Sequence, residues 1–261
     1  MNKKSQFFGI FIAISAVIAL GTALFILGTP KEIKGQLGVK QFDLLKDYKQ
    51  GEDILFYIDQ SAKLSSDLAL SDFAFNGGFK IPKCGKVDDF SVWKKDCFPD
   101  FNQQYKIFFS QRLDSFIESY KSQASVPLNN YDLALLQRDK LVIVGVAKIP
   151  IFIDQKDDKD VLISRYSVYP HFSTEINYNT KEFADIVSYT DGLLDRCQTD
   201  TFNCVLKDVE QNHKDWVVEG GSTTSKVFKF SVPGKNVPVF DKDKKTMDYQ
   251  PIKYRFALAF S

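Results

Sequence analysis

Four cysteines, two histidines and two knots of aspartate are the side chains whose type and spacing could do chemistry here. The cysteines are Cys84, Cys97, Cys197 and Cys204. A Cys₄ zinc site is one use for them, but no C-x₂-C pair is present to frame it. An even count in a chain that opens on an apolar targeting segment instead predicts two disulfides in an oxidising compartment. Four cysteines allow three pairings. The local one, Cys84 with Cys97 and Cys197 with Cys204, is the simplest, and buried free thiols are the other alternative. Each local bridge would close a short loop and contribute about 2–3 kcal/mol by restricting the unfolded chain.

His171, between Pro170 and Phe172, has β-like surroundings, and His213 sits late in a helical stretch before Trp216. Nothing in their spacing joins either to a nucleophile. Asp154, Asp157, Asp158 and Asp160 could offer oxygens to Ca²⁺, as could Asp241, Asp243 and Asp248. Neither group has the Gly at position six and the Glu at position twelve of the calcium loop. Lys156, Lys159, Lys242, Lys244 and Lys245 partly neutralise them, so solvated turns are expected. The chain has no G-x-S-x-G elbow, P-loop, G-x-G-x-x-G or H-E-x-x-H, which argues against nucleotide and zinc-peptidase chemistry. No catalytic residue, metal ligand or cofactor is assigned, and the expectation is a protein that is not an enzyme.

The elements that would carry these residues begin with Phe7–Leu27, an apolar run with no charged side chain. As a helix it would span roughly 31 Å at 1.5 Å per residue, against about 30 Å of bilayer hydrocarbon. In lipid the backbone must satisfy its own hydrogen bonds, so the expectation is a transmembrane anchor over residues 1–30, whose partner is the bilayer. Two alternatives stay open. A secretory signal could be cut near Gly21-Thr22-Ala23. A pilin-type class III leader could be cut between Ser5 and Gln6, leaving the helix attached. Lys3 and Lys4 before the run are matched by Lys31, Lys34 and Lys40 after it, so flanking charge does not orient the span. The cysteines place the following domain outside the cytoplasm.

Residues 31–261 are expected to form one extracytoplasmic α+β domain. Hydrophobic content of 44%, with 24 Phe and 11 Tyr, supplies a core, and a net charge of +1 argues against nucleic acid as a partner. Gly28 to Leu37 is expected as a linker. A helix follows from about Gly38 to Phe75, with Phe42, Leu45, Tyr48, Leu55, Ile58, Ala62, Ala69 and Phe73 on one face. Gly51 would cost about 1 kcal/mol inside it and marks a kink or break. Asn76-Gly77-Gly78 ends it. Residues 79–98 are expected as a loop. A second helix starts near Pro99, with Phe101, Tyr105, Phe108, Leu113, Phe116 and Tyr120 inward.

Beyond Pro127 the pattern turns to β: Tyr131–Leu136, Leu141–Ile153 with Pro150 at an edge or bulge, and Val161–Tyr178 around Pro170. Thr180 would cap a helix to Arg196, and a short helix from Thr201 to about Lys214 would turn Val205 and Val209 inward. Lys226–Val232 and Ile252–Phe260 would be strands joined by an exposed loop over Pro233–Pro251. Short links between strands favour a mainly antiparallel β-sheet, with the two long helices packed on it.

The first soluble helix carries Gln41-Phe42-Asp43-Leu44-Leu45, Tyr48, Gly51-Glu52 and Leu55-Phe56-Tyr57-Ile58-Asp59-Gln60-Ser61-Ala62-Lys63, and it ends at Asn76-Gly77-Gly78. With Cys84-Gly85, Trp93, Cys97, the Tyr166–Pro170 strand and a final hydrophobic strand, it resembles an uncharacterised family of small archaeal single-pass membrane-anchored proteins. That family has no assigned activity, so the resemblance implies an archaeal cell-surface location and no catalytic residue. Within the motif, Gln60, Ser61 and Lys63 are expected on the solvated side of the helix. The expected role is contact with a surface or envelope protein. A pilin-like filament subunit and an envelope hydrolase are the alternatives.

Overall fold

The computed structural model describes residues 31–120, 126–137, 140–156, 159–220, 226–241 and 246–260. The anchor expected at Phe7–Leu27 and both cleavage sites lie outside them, as do Asp157, Asp158 and Asp243. Among the described residues no helix is long and apolar enough to cross a membrane. The chain divides between Gln50 and Gly51 into two compact units.

Helix α1 is Lys31–Phe75. It already includes residues 31–37, expected as linker, because Gly35 and Gly38 each cost only about 1 kcal/mol among good helix formers. In the first unit Phe42, Leu44, Leu45 and Tyr48 are exposed, which corrects the inward face expected through Phe42, Leu45 and Tyr48. In the second unit Ile54, Ile58, Ala62, Ala69 and Phe73 are buried.

Gly51 does not break the helix. A Cβ there would come within 2.8 Å of the Tyr166 ring and 3.2 Å of Val168, so its role is close approach. At the other end Gly78 N–H donates to Phe73 O (2.7 Å) and Gly77 N–H to Ala74 O (3.0 Å). That pair of bonds is a Schellman stop, and both glycines have positive φ.

The second unit is α+β, with long helices packed on a mixed, curled sheet system. Its other helices are α2 (Phe101–Tyr120), α3 (Thr180–Arg196) and α4 (Thr201–Asn212). Asn179, one residue before the expected Thr180, caps α3 by accepting from Lys181 N–H at 3.0 Å. Helix α2 lies against α1. Tyr57 donates to Phe116 O (2.7 Å) and stacks on Tyr120, Tyr105 donates to Ser66 O (2.9 Å), and Arg112 pairs through two nitrogens with Asp72.

One sheet runs β1 (Lys86–Val87), β2 (Phe90–Trp93), β10 (Thr246–Ala259), β9 (Val227–Asp241), β8 (Val217–Gly220). Strands β1 and β2 occupy the segment expected as a loop. Strand β2 meets β10 in parallel, and the other pairings in this sheet are antiparallel. Strands β9 and β10 continue into the stretch 233–251 that was expected to be a loop. Beyond Val232 they pair only with each other among the described strands. Each strand therefore keeps a free edge there, where Pro233, Pro238 and Pro251 can lack a donor without breaking a ladder. A register shift between Pro251 and Lys253 absorbs the rest.

The second sheet is β3 (Tyr131–Gln137), β4 (Leu141–Ala147) and β7 (His171–Ile176), all antiparallel. Past Val146↔His171 the same two chain segments resume pairing as β5 (Ile151–Lys156) and β6 (Leu162–Val168), from Ile151↔Val168 outward. Pro150 and Pro170 sit at the same level of the two segments, so the ladder breaks there and the ribbon becomes a separate two-stranded arm. The buried side chain of Asn130 serves this break, accepting from Ile149 N–H (3.0 Å) and donating to Ile149 O (2.9 Å).

The core is largely aromatic. Trp93 stacks on Phe256 at 3.9 Å and 6°, and Phe256 stacks on Phe230 at 5.2 Å. Phe183 of α3 meets Trp93, Phe73, Phe101 and Tyr254. Phe109 of α2 reaches Phe172 of the second sheet.

Candidate functional site

The cysteines are joined Cys84 to Cys97 and Cys197 to Cys204, with Cα–Cα separations of 6.5 and 5.4 Å. Their sulfurs are therefore not thiolate ligands. Among the described residues no group of three or more His, Cys, Asp or Glu could hold a metal. The bridges point to an oxidising, extracytoplasmic compartment.

The histidines are not brought together. His171 opens β7 and is exposed. His213 follows α4 and packs its ring on Tyr189 and Trp216, at 4.1 and 4.4 Å. The neighbouring Asp208 accepts from Tyr189 (2.8 Å), Asn212 (2.7 Å) and Arg196 (3.0 Å). Burial pushes this carboxyl up, but those three donors outweigh it and hold it below the ordinary value. The cluster staples α3 to α4. Asp154, expected in a turn, lies in β5 and is paired bidentately with its cross-strand partner Arg165 of β6, whereas Asp160 lies beyond the strand and pairs with Lys156. Within the helix motif, Gln60 is exposed and Ser61 is buried. Lys63 lines a polar cavity of about 370 Å³ with Asp59, Lys140 and Glu175.

A more built arrangement lies where the loop before α2 faces α3. The backbone turns at Lys94–Cys97, with Cys97 N–H donating to Lys94 O at 2.9 Å and Asp96 at φ 64°. The Cys84–Cys97 bridge ties this turn to the β1–β2 hairpin and presents Lys95 at its tip. Opposite, Asp191 and Asp195 stand four residues apart on one face of α3. Like charges at that spacing repel, so a cation between them is favoured. The Lys95 ammonium supplies it, 3.1 Å from Asp191 and 2.8 Å from Asp195. Hydrogen bonds to Asp195 and then Asp191 raise the Lys95 pKa above its usual value, so it stays charged throughout the physiological range.

Lys95 lines two cavities, one with Asp191 and the other with Asp195. One, about 540 Å³, has Phe98, Pro99, Phe101, Phe183 and Val187 as its floor, with Asp96, Asp191 and Lys95 at its rim. The other, about 450 Å³, lies toward the end of β10, lined by Leu194, Asp195, Ala259 and Phe260 and sharing Lys95. The floor is anchored in the core. Phe98 and Phe183 flank Trp93 at 5.7 and 5.9 Å, and the Trp93 indole donates to Gly77 O at 2.9 Å.

Carboxylates and an ammonium thus stand over an aromatic floor. None of Lys95, Asp96, Asp191 or Asp195 was a candidate from sequence. The one legible signal was the Asp191-x₃-Asp195 spacing on a helix, which calls for a cation without saying which residue brings it. The chain matches no protein-family model, no curated protein and no solved structure, so the geometry of this groove carries the functional argument.

Proposed function

We propose that the chain is a membrane-tethered extracytoplasmic domain that acts by contact with a surface or envelope protein, through the groove between α3 and the loop before α2. The carrying observation is that a disulfide-closed turn holds the charged rim of this groove over an aromatic floor. The two disulfides support the compartment. The apolar segment Phe7–Leu27 supports the tether. The resemblance of Gln41–Lys63 to archaeal cell-surface proteins supports the same location.

Labelling whole cells with a membrane-impermeant amine reagent tests this reading. Modification of the intact cells' protein, with no thiol free before reduction, is the expected result. Labelling only after lysis, with titratable thiols, overturns it.

A second reading, a pilin-like subunit, is favoured by one feature. Phe42, Leu44 and Leu45 are 70, 63 and 65% exposed on α1, as a helix that packs against its own copies would require. Mass spectrometry of the mature N-terminus separates the two readings, since a start at Gln6 selects the filament subunit.

A further inference from the structure

We infer that the groove seats a basic side chain of a partner polypeptide, a lysine or arginine inserted beside Asp191 and Asp195, and that Lys95 is its built-in stand-in. This rests on the contact reading above and names the chemistry recognised there.

The charge balance is the first argument. Asp191 and Asp195 flank the Lys95 ammonium and Asp96 lines the first cavity, so three carboxylates stand against the two ammoniums of Lys94 and Lys95 and leave the lining net negative by one. The second is how loosely Lys95 is held. Its side chain is 51% exposed, and Asp191 and Asp195 are 41 and 57% exposed. A pair this solvated contributes little to stability, so a better-placed cation can displace it. The third is what lies beneath. Phe98, Phe101, Phe183 and Val187 offer apolar surface to the methylene stem of a long basic side chain, and aromatic rings favour a nearby cation.

The size fits a segment instead of an isolated amine. Lys95 is the residue that the cavities of about 540 and 450 Å³ share, and each has room for a basic side chain and an apolar neighbour. Because Lys95 competes from within the same chain, the resting groove is partly self-occupied, and removing the competitor tightens binding.

The test uses the full-length chain in detergent and three synthetic pentapeptides, Gly-Leu-X-Leu-Gly, with X lysine, norleucine or glutamate. Affinities are read by isothermal titration, and the site by amide chemical-shift changes. The lysine peptide is expected to bind, with shifts at Lys95, Asp96 and Asp191. Lys95→Ala should tighten it about threefold, and Asp191→Asn with Asp195→Asn should weaken it about tenfold, the scale of a lost charged hydrogen bond. Equal binding of the lysine and norleucine peptides overturns the inference and leaves a contact groove of apolar preference. Weaker binding by Lys95→Ala also overturns it, since Lys95 would then be a ligand contact instead of a competitor. If n-hexylammonium binds as tightly as the lysine peptide, the polypeptide partner is wrong and a free amine takes its place. If no peptide binds, the groove loses its role, while whole-cell labelling decides the location reading independently.

Discussion

Gly77 joins two constraints that no other residue type can meet together. Its φ of +62° lies in the left-handed region, and a Cβ would stand 2.5 Å from the carbonyl oxygen of Arg255. Gly85 has φ +93° but nothing within 4 Å of a Cβ. Both positions therefore carry backbone strain on substitution, about 1–3 kcal/mol, and only Gly77 adds a steric clash with the last strand. Gly77→Ala should lower the urea unfolding free energy by more than Gly85→Ala does, with the difference reflecting the displaced strand. Equal losses would mean that β10 yields to the methyl group without cost. The stop at Asn76-Gly77-Gly78 was legible because paired glycines after an apolar helix have one common use. Gly51 was not: a glycine inside a helix reads as a weak point, and only Tyr166 and Val168 across from it show that it makes room for β6.

At the scale of elements, the two disulfides do different work. Cys84–Cys97 ties the turn that presents Lys95, whereas Cys197–Cys204 links the end of α3 to the first turn of α4. Replacing either pair with serine should cost about 2–3 kcal/mol in chemical denaturation, from the freed unfolded chain. The pairs part company in binding. Loss of Cys84–Cys97 should also tighten the lysine peptide, because its turn no longer holds the competing Lys95 ammonium against Asp191 and Asp195. Loss of Cys197–Cys204 should leave that affinity unchanged once the protein is folded. A change in affinity with the second pair alone would reverse the assignment.

Helices α2, α3 and α4 lie within two residues of where the sequence put them. The arms were harder to see. Pro150 and Pro170 each announced an interruption, but that they face each other and split one ribbon in two is visible only once the register is known. The β9–β10 arm was hidden by its own prolines and lysines, which suit an exposed two-stranded ribbon as well as a loop.

Across the whole molecule, burial leaves a titration signature. Tyr105, Tyr131, Tyr178, Tyr189 and Tyr254 are all held above the ordinary phenol value, with burial the largest cause for each. Tyr178 and Tyr254 share a hydrogen bond of 2.6 Å, and Tyr254 also donates to Glu182. A phenol whose folded pKa is raised contributes stability that is complete below its unfolded value of about 10. Above that pH the unfolded chain releases the proton and the folded chain does not, so stability falls as pH rises. For the deeply buried Tyr105 and Tyr254 the slope approaches about 1.4 kcal/mol per pH unit each. The urea midpoint should therefore be flat from about pH 6 to about pH 9.5 and then drop steeply, with phenolate absorbance from the buried tyrosines rising only as the protein unfolds. Phenolate signal from the full tyrosine complement while the near-ultraviolet dichroism stays native would contradict that burial.

Taken alone, the order of residues determined what local forces decide. An α+β chain follows from its periodicities and helix ends follow from glycine pairs and caps, while the cysteine spacing made two local bridges the simplest pairing without deciding it. The tertiary structure decided what depends on distant segments meeting. It set the parallel contact of β2 with β10, the exposure of Phe42 and Leu45, and the meeting of Lys95 with Asp191 and Asp195 across almost a hundred residues of chain. Spacing along a chain reports only neighbours within a few turns. An ion pair between a disulfide-closed turn and a helix face is set by how the core between them packs, and that core exists only when the whole chain has folded.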